Sequence, residues 1–130
     1  MPQYMLLIYQ PVDNPLTPEQ LQEMGPRWDA YTKTLEDAGA LVAGDALERP
    51  DVATTVRERG GQTQFTDGPF AETKEFLAGY YLVDCADLDT ALEHASRMPN
   101  VAHGSVEVRP VWDRTRPMAS GRAQIAQAQA

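Results

Sequence analysis

Two short, almost uninterrupted runs of apolar residues place the strongest limit on how this chain can fold. Residues 5–9 read MLLIY, and residues 76–83 read FLAGYYLV. A strand with one solvated face alternates between apolar and polar side chains, and neither run shows this alternation. Each run is also far shorter than the roughly 20 apolar residues that span a bilayer. The sequence therefore predicts two strands that are buried on both faces of a sheet.

Two amphipathic helices are predicted between the strands. Thr17 can cap the first helix, with a proline at its first position and a glutamine three residues on to complete a capping box. Its apolar face then recurs at spacings of three and four through Leu21, Met24, Trp28, Tyr31, Leu35 and Ala38. Gly25 and Pro26 interrupt this face without shifting its phase, which predicts a kink or a restart rather than a long loop. Asp87 can cap the second helix, which carries one apolar stripe and stops at Pro99.

Further strands are predicted at residues 40–47 and 105–112, with a bulge or bend in the first at Gly44 and Asp45. Residues 52–58 and 62–66 predict a hairpin, because the two glycines between them accept the positive φ of a tight turn. With the hairpin set apart, the order is β-α-β-β-α-β, the ferredoxin-like α+β pattern. Two helices can cover only one face of that sheet. The other apolar face therefore predicts a homodimer of the dimeric α/β-barrel type.

Length and charge narrow the class of protein further. The 130 residues suit one core, which we assign to residues 1–112, followed by a C-terminal tail at residues 113–130. Residues 1–112 hold 18 acidic and 8 basic side chains, which argues against binding to nucleic acid or to an anionic membrane surface. The single cysteine, Cys85, cannot form an internal disulfide, and the N-terminus carries no basic and apolar leader. We therefore expect a cytoplasmic protein.

A charged, turn-forming stretch precedes the second apolar run. It reads TDGPFAETKE at residues 66–75 and leads into GYYLVD at residues 79–84. Together with YMLLIY at residues 4–9, LVAG at residues 41–44 and VEVRPV at residues 106–111, it resembles the YCII-related, or DGPF, family. The resemblance covers about residues 3–112 and implies a dimeric, ferredoxin-like α+β fold.

The resemblance implies little about a reaction. Most DGPF proteins have no established activity, many are encoded near extracytoplasmic-function sigma factors, and a few relatives act on chlorinated hydroxyquinone-type aromatics. Shorter members resemble enzymes through a proposed pair of histidine and aspartate, with the histidine on the first helix. That helix has no histidine in this chain, and Arg27 or Trp28 takes the approximate position. Neither side chain is a general base near neutral pH.

Asp67, Glu72 and Lys74 are the candidate catalytic residues. Glu72 and Lys74 are two apart and share a face of an extended segment, where a carboxylate can take a proton while an ammonium group stabilises the anion formed. The alternative is structural: Asp67 caps a turn, Gly68 supplies an unusual φ, and Phe70 anchors the loop in the core. The sequence leaves both interpretations open.

Five further residues are candidate ligand-binding groups: Arg27, Phe70, Tyr81, His103 and Arg109. Arg27 and Arg109, with Lys74, are among the few cations of the acidic domain and are the places to hold an anionic ligand. For Arg109 the favoured interpretation is an ion pair with Glu107 on the same strand face, and a role in a pocket is the alternative. Tyr80 and Tyr81 point to opposite faces, so that one can line a cavity. His103 precedes a glycine in the loop before the last strand.

No metal and no cofactor are expected, because the cysteine and the histidines lack ligand spacing and no glycine-rich phosphate loop is present. The leading hypothesis is a cofactor-independent lyase or isomerase that acts on a small hydroxylated aromatic or acidic molecule in a pocket between sheet and helix. The alternative is a non-catalytic ligand-binding or regulatory protein associated with a sigma-factor system. An enzyme requires that candidate side chains converge in a concave pocket.

Overall fold

The computed structural model describes residues 1–69 and 71–117 of the chain. In chain order its elements are β1 (Gln3–Pro11), α1 (Pro18–Asp37), β2 (Leu41–Ala46), β3 (Thr54–Arg59), β4 (Gln62–Asp67), β5 (Glu75–Asp84), α2 (Leu88–Ser96) and β6 (Ser105–Pro110). A short 3₁₀ turn, Pro50–Val52, lies between β2 and β3. The predicted succession of strand, helix, strand, hairpin, strand, helix and strand is confirmed.

Four strands form one antiparallel sheet in the order β2-β5-β1-β6. The strands that carry the two apolar runs, β1 and β5, are the central pair of this sheet. Leu6 of β1 lies opposite Tyr81 of β5 on one side and opposite Val108 of β6 on the other. Strands β3 and β4 form a separate two-stranded sheet. The architecture is α+β and compatible with the predicted ferredoxin-like fold, to which the hairpin is an addition.

The core lies between one face of the four-stranded sheet and the two helices. Tyr4, Leu6 and Ile8 alternate along β1 toward this core, where they meet Leu35 of α1 and Ala91 of α2. The residues between them, Met5 and Leu7, are half-buried on the opposite face. The apolar runs were predicted to be buried on both faces. Within this chain the helices cover one face only.

Helix α1 begins where the sequence predicted. The Thr17 hydroxyl accepts a hydrogen bond from Gln20 N at 3.2 Å, and Gln20 Oε1 accepts one from Thr17 N at 2.9 Å. These two bonds satisfy amide groups that the first helical turn leaves without partners. The helix continues through Pro26 to Asp37, so the predicted absence of a long loop at this proline is confirmed. Its buried residues are Met24, Tyr31 and Leu35.

Helix α2 is capped by Asp87, as predicted. Asp87 Oδ1 accepts hydrogen bonds from Thr90 N at 2.9 Å and from the Thr90 hydroxyl at 2.7 Å. Both bonds favour the charged carboxylate and hold the pKa of Asp87 below its ordinary value. Of the predicted apolar stripe, Ala91 and Ala95 are buried in the core. Leu92 stays 46% exposed.

Two of the strand pairs are irregular. The register between β1 and β5 shifts at Ile8 and leaves Ala78 as an extra residue, while the register between β2 and β5 shifts at Leu41 and leaves Val42 as an extra residue. The bulge predicted in β2 therefore exists, but its predicted position was wrong. Gly44 pairs in register with Tyr81, and its lack of a side chain allows the Tyr81 ring to approach closely.

The predicted hairpin is confirmed as β3 and β4. Gly60 and Gly61, with φ of 59° and 78°, form the turn, and all of β4 is exposed to solvent. At the base of the hairpin, Gly68 has a φ of 94°. Gly68 N donates to Ala53 O at 2.7 Å, and the Thr55 hydroxyl donates to Gly68 O at 2.8 Å. The turn of the DGPF stretch therefore closes the hairpin.

Strand β6 ends at Pro110, two residues before the predicted end. Val106 and Val108 lie on the helix side of the sheet, opposite Ile8 and Leu6. Trp112 follows the strand, and its Nε1 donates to Arg116 O at 2.9 Å. Of the predicted tail, only residues 113–117 lie among the described residues.

Candidate ligand-binding cavity

A cavity of about 390 Å³ lies between α1 and the β2 edge of the sheet. Its walls come from one face of α1, from the end of β1 and from the facing segments of β2 and β5. The lining residues are Ile8, Gln10, Gly25, Trp28, Asp29, Gly44, Asp45, Ala46, Ala78, Gly79, Tyr80 and Tyr81. Gly25, Trp28 and Asp29 are spaced by three and four residues, which places them on one side of the helix.

A cluster of aromatic rings forms one wall of this cavity. The Tyr81 ring lies over Trp28 at 6.4 Å between centroids and 27° between planes, and it meets Tyr31 at 5.6 Å and 63°. The Tyr81 and Thr32 hydroxyls share a hydrogen bond of 2.6 Å. The ring is therefore fixed at its edge by α1 and at its face by Trp28, which gives the cavity a defined aromatic surface.

Glycines on the sheet allow the close approach of these groups. A β-carbon on Gly44 would lie 2.7 Å from Tyr81 Cδ1, and one on Gly79 would lie 2.8 Å from Asp45 O. Both distances are shorter than real β-carbon contacts. A β-carbon on Gly25, across the cavity, would meet no atom within 4 Å. Glycine at positions 44 and 79 therefore lets the Tyr81 ring and the edge strand pack closely, while glycine at position 25 leaves space on the helix side.

Among the lining residues, Asp29 and Gln10 carry acceptor groups, whereas the side chains of Asp45 and Tyr80 pair with each other on the face of the sheet away from the helices. The Asp29 carboxylate forms no hydrogen bond or ion pair with another residue in the described part of the chain. Asp45 Oδ2 accepts a hydrogen bond from the Tyr80 hydroxyl at 3.2 Å, and this bond, with the carboxylate charge, raises the pKa of Tyr80. Gln10 Oε1 is buried and has no partner among the described residues.

Tyr31 supports the aromatic wall from the core side. Its hydroxyl donates to His94 O of α2 at 2.6 Å and so links the two helices. Burial disfavours the phenolate and raises the pKa of Tyr31 well above its ordinary value, and the nearby Tyr81 adds to the shift. Tyr31 therefore stays protonated and serves as a structural donor rather than as a proton acceptor.

A second, larger cavity of about 1020 Å³ lies beside the DGPF stretch. Pro69, Ala71 and Glu72 line one side, and Val12 with Leu77 lines another. The Arg49 guanidinium lies 5.2 Å from the centroid of the Phe76 ring, within range of a cation–π contact. This cavity opens between the base of the hairpin and the sheet.

The structure separates the three candidate catalytic residues. Glu72 lines the larger cavity, whereas Asp67 and Lys74 line neither cavity. Asp67 is the last residue of β4 and is exposed. Lys74 is exposed as well, and its carbonyl accepts a hydrogen bond from Val12 N at 2.8 Å. The alternative interpretation of this stretch was a structural turn. Gly68 has the positive φ expected for that turn, while Phe70 lies outside the described residues.

Of the candidate ligand-binding residues, Tyr81 lines the smaller cavity. Arg27 is exposed on α1, with Nη1 3.5 Å from Met24 Sδ. His103 is half-buried in the loop before β6. Arg109 Nε donates to Glu107 Oε2 at 2.8 Å, which confirms the predicted ion pair on the sheet face away from the helices. The two arginines and His103 line neither cavity.

Sequence reasoning missed most of the cavity. It assigned Trp28 to the core face of α1 and did not single out Asp29, Asp45 or Gln10. The available signal was the spacing of Gly25, Trp28 and Asp29, which places a glycine, an aromatic ring and a carboxylate side by side on α1. That signal does not reveal that β2 and β5 face this side of the helix.

In residues 1–69 and 71–117, no group of three or more histidine, cysteine, aspartate or glutamate side chains is placed to hold a metal ion. Over the same residues, neither helix combines the length and apolar character needed to cross a bilayer.

The fold and the cavity define a small α+β domain with a ligand-sized space between helix and sheet. The chain belongs to the YCII-related domain family, whose model matches residues 2–115, and this confirms the family predicted from the DGPF stretch. The chain is 45% identical over 84 residues to an uncharacterized protein of Rhizobium meliloti (strain 1021). That alignment covers 63% of this chain and 68% of the relative.

Proposed function

We propose that this YCII-domain protein binds a small molecule with an aromatic or apolar body in the cavity between α1 and the sheet. The observation that carries the proposal is the fixed aromatic wall of Trp28 and Tyr81 facing space that Gly25 leaves open. Binding sites for small molecules are concave and mostly apolar, with a few placed polar groups. Asp29 supplies such a group here.

The size of the cavity limits the ligand. Its volume of about 390 Å³ falls in the lower part of the range of ligand pockets, which runs from about 300 to 1,000 Å³. An apolar cavity of about 150 Å³ already accepts benzene. The space therefore suits a ligand of one or two rings.

Proton transfer on the bound molecule is the form of catalysis that this cavity supports. Asp29 is a carboxylate without a partner among the described residues, and it lies on the same helix face as Trp28. A carboxylate so placed can act as a general base on an acidic proton of the ligand. This would make the protein the lyase or isomerase predicted from sequence. Without such a reaction the same cavity serves the non-catalytic ligand-binding or regulatory alternative.

The two tryptophans allow a direct test of binding. Trp28 lines the cavity, whereas Trp112 lies outside it and is 50% exposed. In a Trp112→Leu variant, Trp28 is the only tryptophan, and its emission reports on the cavity. Titration with small phenols, aromatic alcohols and aromatic amines should give a saturable change in that emission.

The matched variant is Trp28→Leu, which removes the aromatic wall but keeps an apolar side chain. Thermal stabilisation by a binding compound should be lost in Trp28→Leu and kept in Trp112→Leu. Equal stabilisation of both variants would place the ligand elsewhere, and no saturable change with any of the compounds would contradict the proposal.

A homodimer through the open face of the sheet is the assembly we propose. The half-buried side chains of Met5, Leu7 and Leu82 lie on this face, and Leu77 there is 38% exposed. Contiguous apolar patches of this kind are uncommon on monomers. Light scattering on a size-exclusion column should give twice the mass of the chain. Leu82→Asp should give the single mass, while Leu92→Asp on α2 should leave the dimer intact. A monomer at all micromolar concentrations would refute this assembly.

We also propose that the protein acts in the cytoplasm. Its single thiol, Cys85, is buried and is compatible with a reducing compartment.

A further inference from the structure

The sequence predicted that an anionic ligand binds near the few cations of the chain. The lining of the cavity does not contain these cations. Among the described residues that line the cavity, none is lysine, arginine or histidine, and Asp29 places a carboxylate at its wall. The Asp45 carboxylate is bonded to Tyr80 on the other face of the sheet. Arg27, Lys74 and Arg109, the cations named from sequence, lie outside the lining. An anion placed here would meet the Asp29 carboxylate, with no cation among the described lining residues to compensate, which is unfavourable.

The aromatic rings favour the same sign of charge. The faces of tryptophan and tyrosine carry negative electrostatic potential, and cations bind over them, most strongly over tryptophan. Trp28 and Tyr81 present their rings at the cavity, and Tyr81 is held in place by Thr32. A carboxylate next to such rings, as Asp29 is, forms the combination that recognises organic ammonium groups.

Asp29 is exposed, and its carboxylate, which has no partner among the described residues, accepts hydrogen bonds. A primary ammonium group offers three donors and no acceptor.

We infer that the ligand of this cavity is a cationic amine with an aromatic or apolar body, whose ammonium group lies at Asp29 beside the rings of Trp28 and Tyr81. The inference rests on the proposed function, since it names the class of molecule that binds in the same cavity. In this inference Asp29 binds the ammonium group, and the two rings contact both the cation and the apolar body of the ligand.

Three probes of similar size and different charge test the inference: 2-phenylethylammonium, 2-phenylethanol and phenylacetate. Binding is measured by Trp28 emission in the Trp112→Leu variant. The ammonium probe should bind about tenfold more tightly than the alcohol, as the combined contribution of a cation–π contact and an ion pair predicts. Phenylacetate should bind most weakly. Added salt should weaken binding of the ammonium probe and leave binding of the alcohol unchanged.

Asp29→Asn, which keeps the shape of the side chain, should weaken binding of the ammonium probe about fivefold and leave binding of the alcohol unchanged. Asp37→Asn, at the exposed end of the same helix, is the matched control and should change neither. Asp29→Glu, which restores the charge, should recover most of the affinity and guards against a folding defect in Asp29→Asn.

The possible outcomes separate the two proposals. Equal binding of the ammonium probe and the alcohol, or tighter binding of phenylacetate, overturns the inference and leaves binding in the cavity standing. Preference for the ammonium probe that survives Asp29→Asn overturns the assignment of Asp29. Absence of binding by all three probes, together with the wider aromatic set, overturns the proposed function itself.

Discussion

Replacing Gly44 by alanine tests whether the aromatic wall depends on the absence of a side chain on β2. A β-carbon at this position would lie 2.7 Å from Tyr81 Cδ1 and 3.0 Å from Tyr80 O. Carbon atoms normally pack at about 3.5–4.0 Å, so the Tyr81 ring has to move. Its hydroxyl is bonded to Thr32 and its face lies on Trp28, so the ring cannot withdraw without losing these contacts. The φ of Gly44 is not positive, and the substitution therefore acts through the clash alone.

We expect Gly44→Ala to lower the free energy of unfolding by about 1–3 kcal/mol, the usual cost of overpacking. Displacing the Tyr81 ring loses a hydrogen bond worth about 1 kcal/mol and two aromatic contacts worth about 0.5–1.5 kcal/mol each. Alanine in a strand interior recovers about 0.5–1 kcal/mol relative to glycine. Urea denaturation followed by circular dichroism measures the difference, with an unchanged m value as the sign that the fold persists.

A double-mutant cycle identifies the cause of this loss. In a Tyr81→Ala background the ring is absent, so Gly44→Ala should then cost less than about 1 kcal/mol, from the remaining contact with Tyr80 O. Ala43→Ser, at the neighbouring exposed position of β2, should change the stability by no more than about 0.5 kcal/mol. Additive costs of Gly44→Ala and Tyr81→Ala would refute the role of Gly44 as the position that admits the ring.

Three further predictions concern groups outside the cavity wall. Burial, with the charges of Asp87 and Asp84, raises the pKa of the Cys85 thiol, so Ellman's reagent should react slowly with the native protein at pH 8 and at once after unfolding; fast native reaction would contradict this. Because the pKa of Tyr31 is raised in the folded state, its contribution to stability is complete below the unfolded value of about 10 and is lost as the pH rises beyond it. Tyr31→Phe should therefore flatten the decline of unfolding free energy in alkaline solution, and an equally steep decline would exclude Tyr31 as its source. Thr17→Ala, which removes the cap of α1, should lower the free energy of unfolding by about 1 kcal/mol, and Thr63→Ala on the exposed hairpin is its control.

The sequence was sufficient for the fold wherever one local rule acts alone. The capping box at Thr17, the cap at Asp87, the positive φ of the hairpin glycines and the succession of elements along the chain all follow from short-range chemistry. The same local rules misplaced the bulge of β2. A glycine in a strand indicates either a bulge or the close approach of another group. At Gly44 the reason is the ring of Tyr81, which lies 37 residues later in the sequence and cannot be recognised from local pattern.

The cavity could not be predicted to the same degree. Helical periodicity correctly assigns Trp28 to the inward side of α1, but it does not say whether that side meets a packed core or an open space. The answer depends on Gly25 and on the position of β2, which joins β5 through long-range pairing. The sequence analysis expected the ligand at the cations Arg27, Lys74 and Arg109 because it reasoned from the net charge of the chain. The charge at the cavity is set locally, by Asp29.

The separation of the structure into two sheets has a consequence for the dynamics of the chain. The hairpin of β3 and β4 shares no strand with the four-stranded sheet, and nearly all of its residues are exposed. Regions with few buried contacts open locally at much lower free energy than the core does. Amide hydrogens of the hairpin should therefore exchange with solvent at opening free energies well below that of global unfolding, while those of β1 and β5 exchange only when the whole domain unfolds. The loop that carries the DGPF stretch connects these two regions of different stability.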